Sequence, residues 1–130
     1  MPFKLATEHE HQAALFAWAE RARQTMPELA MLAAVPNGGL RHKAVAAKLR
    51  AEGVKPGYPD VLLDVPRKPW HGLRIEMKKE GGRVSAHQEE WIARLGACGY
   101  LATVCYGWDE ARSVIERYLM LPKWEQGDEQ

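Results

Sequence analysis

Two apolar stretches separated by one short break constrain this chain more than anything else in it. Pro59-Asp60-Val61-Leu62-Leu63-Asp64-Val65 and Leu73-Arg74-Ile75-Glu76-Met77-Lys78 are rich in Val, Leu and Ile and bounded by turn formers, so each reads as a short strand. The Pro-Arg-Lys-Pro-Trp-His-Gly segment between them suits a hairpin connection, which would pair the two side by side. Successive strand residues point to opposite faces, so Glu76 and Lys78 share one face while Ile75 and Met77 occupy the other. A carboxylate and an ammonium on an otherwise apolar strand are costly to bury without partners. Asp60, at the start of the neighbouring strand, brings a second carboxylate close. Two carboxylates in one pocket repel and raise one pKa unless a cation lies between them, and a divalent metal resolves the conflict.

Pro59-Asp60 followed by Glu76-Met77-Lys78 is the PD-(D/E)XK nuclease signature as it stands in this chain. Further segments agree with it: Glu8 and Gln12, Pro36-Asn37-Gly38-Gly39, Gly53-Val54-Lys55-Pro56-Gly57, and Ser85 with Gln88 and Trp91. Together, over roughly residues 7 to 119, they resemble the VRR-NUC family of that superfamily, in its small stand-alone bacterial and phage type. The resemblance implies an α/β fold with a restriction-endonuclease-like core, a mixed central sheet flanked by helices in the order αβαββαβα. It also implies a metal-dependent deoxyribonuclease using Mg²⁺ or Mn²⁺, a homodimer, and action on branched DNA such as four-way junctions. The metal ligands would be Asp60, Glu76 and the Met77 backbone carbonyl. Lys78 would position or deprotonate the attacking water, Gln88 would bond that water or orient the lysine, and Glu8 would contribute to the site.

At 130 residues the chain is expected to form a single domain, with a core over about 7–119 and an acidic tail over 120–130 that is frayed over 125–130. No apolar run approaches the roughly 20 residues of a membrane span, and no signal sequence is evident, so a soluble cytoplasmic protein is expected. Cys98 and Cys105 suggest no disulfide framework. The five histidines and two cysteines show no paired zinc-ligand spacing. A net charge of +1 hides an asymmetry: residues 41–83 hold 11 Lys and Arg against 5 Asp and Glu, the remainder 7 against 12. Local potential governs phosphate binding, so the basic region around the motif can meet a polyanion; a solvated surface is the plainer reading.

Along the chain, Thr7 and Glu10 are spaced as a capping box for a helix over 7–25. Glu8 and Gln12 lie one turn apart on its surface, where Glu8 either reaches the site or only favours the helix dipole. Glu10 would lie about 160° further round. The run Leu29–Val35 is expected to be a buried strand, and Asn37 either closes the following glycine turn by an Asx bond or touches substrate. Arg41–Glu52 reads as a helix with Ala44, Val45 and Leu49 inward; Arg41, Lys43, Lys48 and Arg50, with Lys55 beyond, are candidate phosphate contacts. Ser85 is a good cap for a helix to about Cys98 with Trp91, Ile92 and Leu95 in the core. Tyr100–Tyr106 reads as a strand, and a last helix carries Ala111, Val114, Ile115 and Leu119. The strand, helix, strand order from Leu73 to Tyr106 requires a parallel pair, so the sheet is mixed. Tyr58 and Trp70 either stack on bases or shield the core.

Two rival classes remain: a nucleic-acid-binding module without hydrolysis, which would lack one of Asp60, Glu76 or Lys78, and an α/β interaction domain in which Glu76 and Lys78 are a surface ion pair. A specific divalent site separates the first reading from both.

Overall fold

The computed structural model describes residues 5–36 and 43–128. The expectations for Asn37 and Arg41 lie outside these residues. Helix α1 (Glu8–Ala22) starts as its spacing predicts: the Thr7 hydroxyl accepts from Glu10 N–H at 3.0 Å, and the Glu10 carboxylate accepts from Thr7 N–H at 3.0 Å. The backbone bond from Ala6, together with Thr7, holds the Glu10 carboxyl below the ordinary range. Glu10 is thereby committed to the cap, and Glu8 is the acid left for other work.

The apolar run at 29–35 is only partly a strand. A 3-10 helix occupies Pro27–Met31, and strand β1 is limited to Leu32–Ala34. Pro27, with φ fixed near the helical value, starts the first half as a helical turn. Helix α2 (Lys43–Ala51) follows; its buried residue is Ala46, whereas Val45 is 42 % exposed. The expected inward set of Ala44 and Val45 is therefore corrected. In an alanine-rich helix several stripes are equally apolar, and periodicity alone does not choose among them.

Strands β2 (Val61–Leu63), β3 (Leu73–Lys78) and β4 (Leu101–Tyr106) complete a sheet of order β1-β2-β3-β4. β1 and β2 run antiparallel, β2 and β3 antiparallel with Val61 opposite Ile75, and β3 and β4 parallel with Glu76 opposite Val104. The mixed sheet and the parallel βαβ unit are as the sequence predicts. Helix α3 (Ala86–Ala97) makes the crossover, and α4 (Trp108–Leu119) follows β4 directly.

All six residues of β3 are buried, because both of its faces are covered. Leu73, Ile75 and Met77 enter the main core with Leu15 of α1 and Ile115 of α4. Arg74, Glu76 and Lys78 turn to the face where α3 packs. There Arg74 stacks on Tyr100 at 4.5 Å and bonds Asp64 at 3.1 Å and the Tyr58 hydroxyl at 3.4 Å. Tyr58 in turn packs edge-on against Trp91, with ring centroids 4.9 Å apart. Tyr58 and Trp70 both serve as shielding: Trp70 lies against the core, and its carbonyl accepts from Trp124.

As far as Asp128 the tail is held rather than frayed. Lys68 N–H donates to the Pro122 carbonyl at 2.8 Å, Trp124 donates to Trp70 at 3.1 Å, and Lys68 pairs with Asp128 at 3.0 Å. An acidic composition misled because Trp124 supplies an apolar anchor and Lys68 a counter-charge. Among the described residues no helix is long and apolar enough to cross a membrane. Both cysteines are thiols, Cys98 exposed and Cys105 buried.

Candidate active site

The sheet end formed by the start of β2 and the end of β3 gathers the predicted acids. Asp60, one residue ahead of β2, accepts through Oδ2 from Met77 N–H at 3.0 Å, and its own carbonyl accepts from Val35 N–H at 2.8 Å. The N–H and C=O of one strand residue point to the same side, so the Met77 carbonyl is also turned toward Asp60. Glu76 is 2 % exposed. Its Oε2 accepts from Gln88 Nε2 at 3.0 Å, while Oε1 is buried with no hydrogen-bond donor. Lys78 Nζ stands 4.0 Å from Glu76 Oε2 and 3.9 Å from Glu8 Oε2, ion-pair rather than hydrogen-bond distances.

Electrostatics follow from this crowding. Burial pushes the Glu76 carboxyl up to about 9; a hydrogen bond that its protonated form donates to Asp60 and repulsion from the Asp60 charge add to the shift, Lys78 opposes it, and Glu8 reinforces it. Ionised carboxylates only accept hydrogen bonds, so two that meet need a shared proton or a cation between them. The donor-free Oε1 of Glu76 makes the same demand. Among the described residues no set of three or more His, Cys, Asp or Glu side chains could hold a metal unaided. Two carboxylates, a backbone carbonyl and water form an all-oxygen set, which suits Mg²⁺ or Mn²⁺ and not zinc.

Gln88 occupies a more defined place than the sequence alone indicates. Its Oε1 accepts from Ser85 N–H at 2.8 Å while the Ser85 hydroxyl accepts from Gln88 N–H at 3.2 Å, a complete capping box. With its carbonyl oxygen fixed on the cap, its amide nitrogen is aimed at Glu76. Gln88 thus holds the buried acid; its side chain bonds Glu76 and the Ser85 cap, not Lys78.

Above the acids lies a cleft of about 440 Å³ between α1 and the end of β1, lined by Glu8, His9, Gln12, Phe16, Ala34–Pro36 and Asp60. Gln12 and Glu8 share this wall, as their spacing predicts. His9, in the sequence only one of several histidines without paired zinc-ligand spacing, and Phe16 belong to no site motif; their one signal is helical, since 9, 12, 13 and 16 fall on one face of α1. On the other side of Val35 a second hollow includes Lys55 and Tyr58. Lys43, Lys48, Arg50 and Lys55 are all exposed and in no ion pair among the described residues.

Fold and cleft together define a small α/β domain with a restriction-endonuclease-like core and an acidic pocket capped by a lysine. The chain matches the VRR-NUC domain over residues 6–109. It also superposes on a solved VRR_NUC domain protein with a TM-score of 0.79 and 34 % identity, over 98 % of this chain and 100 % of that one. No curated protein matches it. The chain belongs to the VRR-NUC family, whose domains are of nuclease type.

Proposed function

We propose that this protein is a metal-dependent endonuclease that hydrolyses DNA phosphodiester bonds, prefers branched DNA such as four-way junctions, and works as a homodimer. The observation that carries the reading is the buried, donor-free Oε1 of Glu76 beside Asp60, an arrangement that calls for a cation. Asp60, Glu76 and the Met77 carbonyl would hold Mg²⁺ or Mn²⁺. Such an ion, when bound, lowers the pKa of a coordinated water and offsets charge on the phosphoryl oxygens.

The chain's own groups do the rest. Lys78, fixed between Glu8 and Glu76, presents an ammonium that orients the attacking water and stabilises negative charge as it develops. Gln88 keeps Glu76 in one rotamer, and Glu8 keeps Lys78 from swinging out to solvent. Lys43, Lys48, Arg50 and Lys55 supply phosphate contacts that position DNA without reading sequence. The preference for branched substrates rests on likeness to the small stand-alone members of the family.

The test compares a four-way junction, a flap, a single strand and a linear duplex, each with Mg²⁺, Mn²⁺ or chelator. Cutting that needs the metal, is strongest on the junction and disappears in Glu76→Ala and Lys78→Ala supports the reading. Absence of cutting on every substrate, or wild-type cutting by those variants, overturns it.

A further inference from the structure

Strand β4 forms one margin of the sheet, and its sequence, Leu-Ala-Thr-Val-Cys-Tyr, contains no charge and no proline. Sheet margins in monomeric proteins are ordinarily blunted by Lys, Pro, a bulge or extreme shortness, because unpaired N–H and C=O groups invite another strand. The opposite margin, β1, meets that rule with only three residues. β4 does not.

Which groups β4 offers follows from its pairing. Leu101 N–H bonds the Gly72 carbonyl at 3.0 Å and Gly107 N–H bonds the Lys78 carbonyl at 2.8 Å, so the odd positions face β3. Ala102, Val104 and Tyr106 face away. The Tyr106 N–H is taken by the Glu110 carboxylate. Ala102 and Val104 keep N–H and C=O directed outward; among the described residues their one bond is a long one, from the Thr103 hydroxyl to the Val104 carbonyl at 3.4 Å, and no backbone group pairs with them. Beside this margin Leu101, Thr103, Val114 and Leu121 line an apolar hollow of about 310 Å³ whose rim carries Arg117.

We propose that a second copy of this chain docks here, the two β4 strands pairing antiparallel about a two-fold axis at Thr103 so that the two four-stranded sheets become one. This deepens the homodimer reading above and rests on it. In that register Ala102 of each copy faces Val104 of the other, and each pair exchanges both N–H···O=C bonds, satisfying the outward groups of both residues. Thr103 meets its own counterpart in the closer, non-bonded position. A two-fold interface must be its own complement, and a strand margin centred on one residue is.

Charge agrees with this arrangement. Helix α4 returns antiparallel to β4, placing Glu110 near the Tyr106 end and Arg117 near the Leu101 end. Antiparallel docking brings each exposed Glu110 to the end where the other copy presents Arg117. Because the axis is perpendicular to the sheet, both copies of Glu76 lie on the same face of the joined sheet.

The experiment uses the full chain. Sedimentation equilibrium should give a two-chain mass, and Thr103→Cys in a Cys98→Ser background should form a disulfide-linked dimer under mild oxidation, whereas Cys98→Ser alone should not. Independently, Arg117→Glu should weaken dimerisation by roughly tenfold or more, and adding Glu110→Arg should restore it. A one-chain mass for the wild type at tens of micromolar, a dimer that Thr103→Cys fails to lock, or a dimer indifferent to Arg117→Glu overturns the interface. Metal-dependent nicking of DNA is read in the same samples. A monomer that still cuts refutes the interface and leaves the nuclease assignment standing; a locked dimer that never cuts does the reverse.

Discussion

Glu76 is stable in its pocket only when something neutralises it. In the metal-free protein that is a proton, and the sign of the resulting pH dependence is fixed. Its folded pKa is raised from the ordinary 4.5 to about 9. The folded chain therefore keeps a proton that the unfolded chain has released, so this group's contribution is full below about 4.5 and is lost as pH rises toward about 9. Thermal melts in chelator should show the midpoint falling over that window, and Glu76→Gln should remove this part of the slope while melting at the same temperature or higher. Metal supplies the alternative neutralisation. At alkaline pH, Mn²⁺ at a hundred times its dissociation constant should stabilise the wild type by about 2.7 kcal/mol and should leave Glu76→Gln unchanged. The carboxylate pair, the lysine and their shared face were legible in the sequence because strand alternation is strict. The double use of Gln88, cap and acid-holder at once, was not, since its target lies twelve residues away in another element.

At the level of elements, legibility followed local rules. The capping box at Thr7 and the N-cap at Ser85 were readable because such signals are local, within four consecutive residues. The division of 27–34 into a 3-10 turn and a three-residue strand was not, because Leu, Ala and Met suit either state and the partner β2 is itself short. One close approach decides how α3 meets the site. Gly57 has φ +81°, and a Cβ there would come within 2.6 Å of the His87 backbone and 2.8 Å of Gln88 N. Neither atom is the end of a flexible side chain, so the clash is relieved only by moving a backbone segment. Gly57→Ala should cost about 1–3 kcal/mol in chemical denaturation. By pushing the first turn of α3 off Glu76, it should also weaken Mn²⁺ binding in titration calorimetry. A change in stability with unaltered metal affinity would show that Gly57 does not set the acid's position.

Across the whole molecule, residues 122–128 act as a strap over the β2–β3 connection, through Pro122, Trp124 and Asp128. Deleting residues 123–130 removes the Trp124 anchor and the Lys68–Asp128 pair, and should lower stability by about 1–2 kcal/mol, or roughly 3–8 °C in melting temperature. Cutting should survive, because the strap lies at the start of β3 and the acids at its end. Composition alone gave no warning of this strap, since long-range contacts of a polar segment depend on what it happens to lie against.

That polarity has a practical outcome. Leu5 and Ala6 sit beside Lys79 and Glu80, at the same end of β3 as the cleft, whereas Trp124 and Asp128 close the opposite end. A linker, dye or surface anchor attached after the strap leaves the cleft mouth open to a bulky nucleic acid, while the same cargo ahead of Leu5 stands in its path.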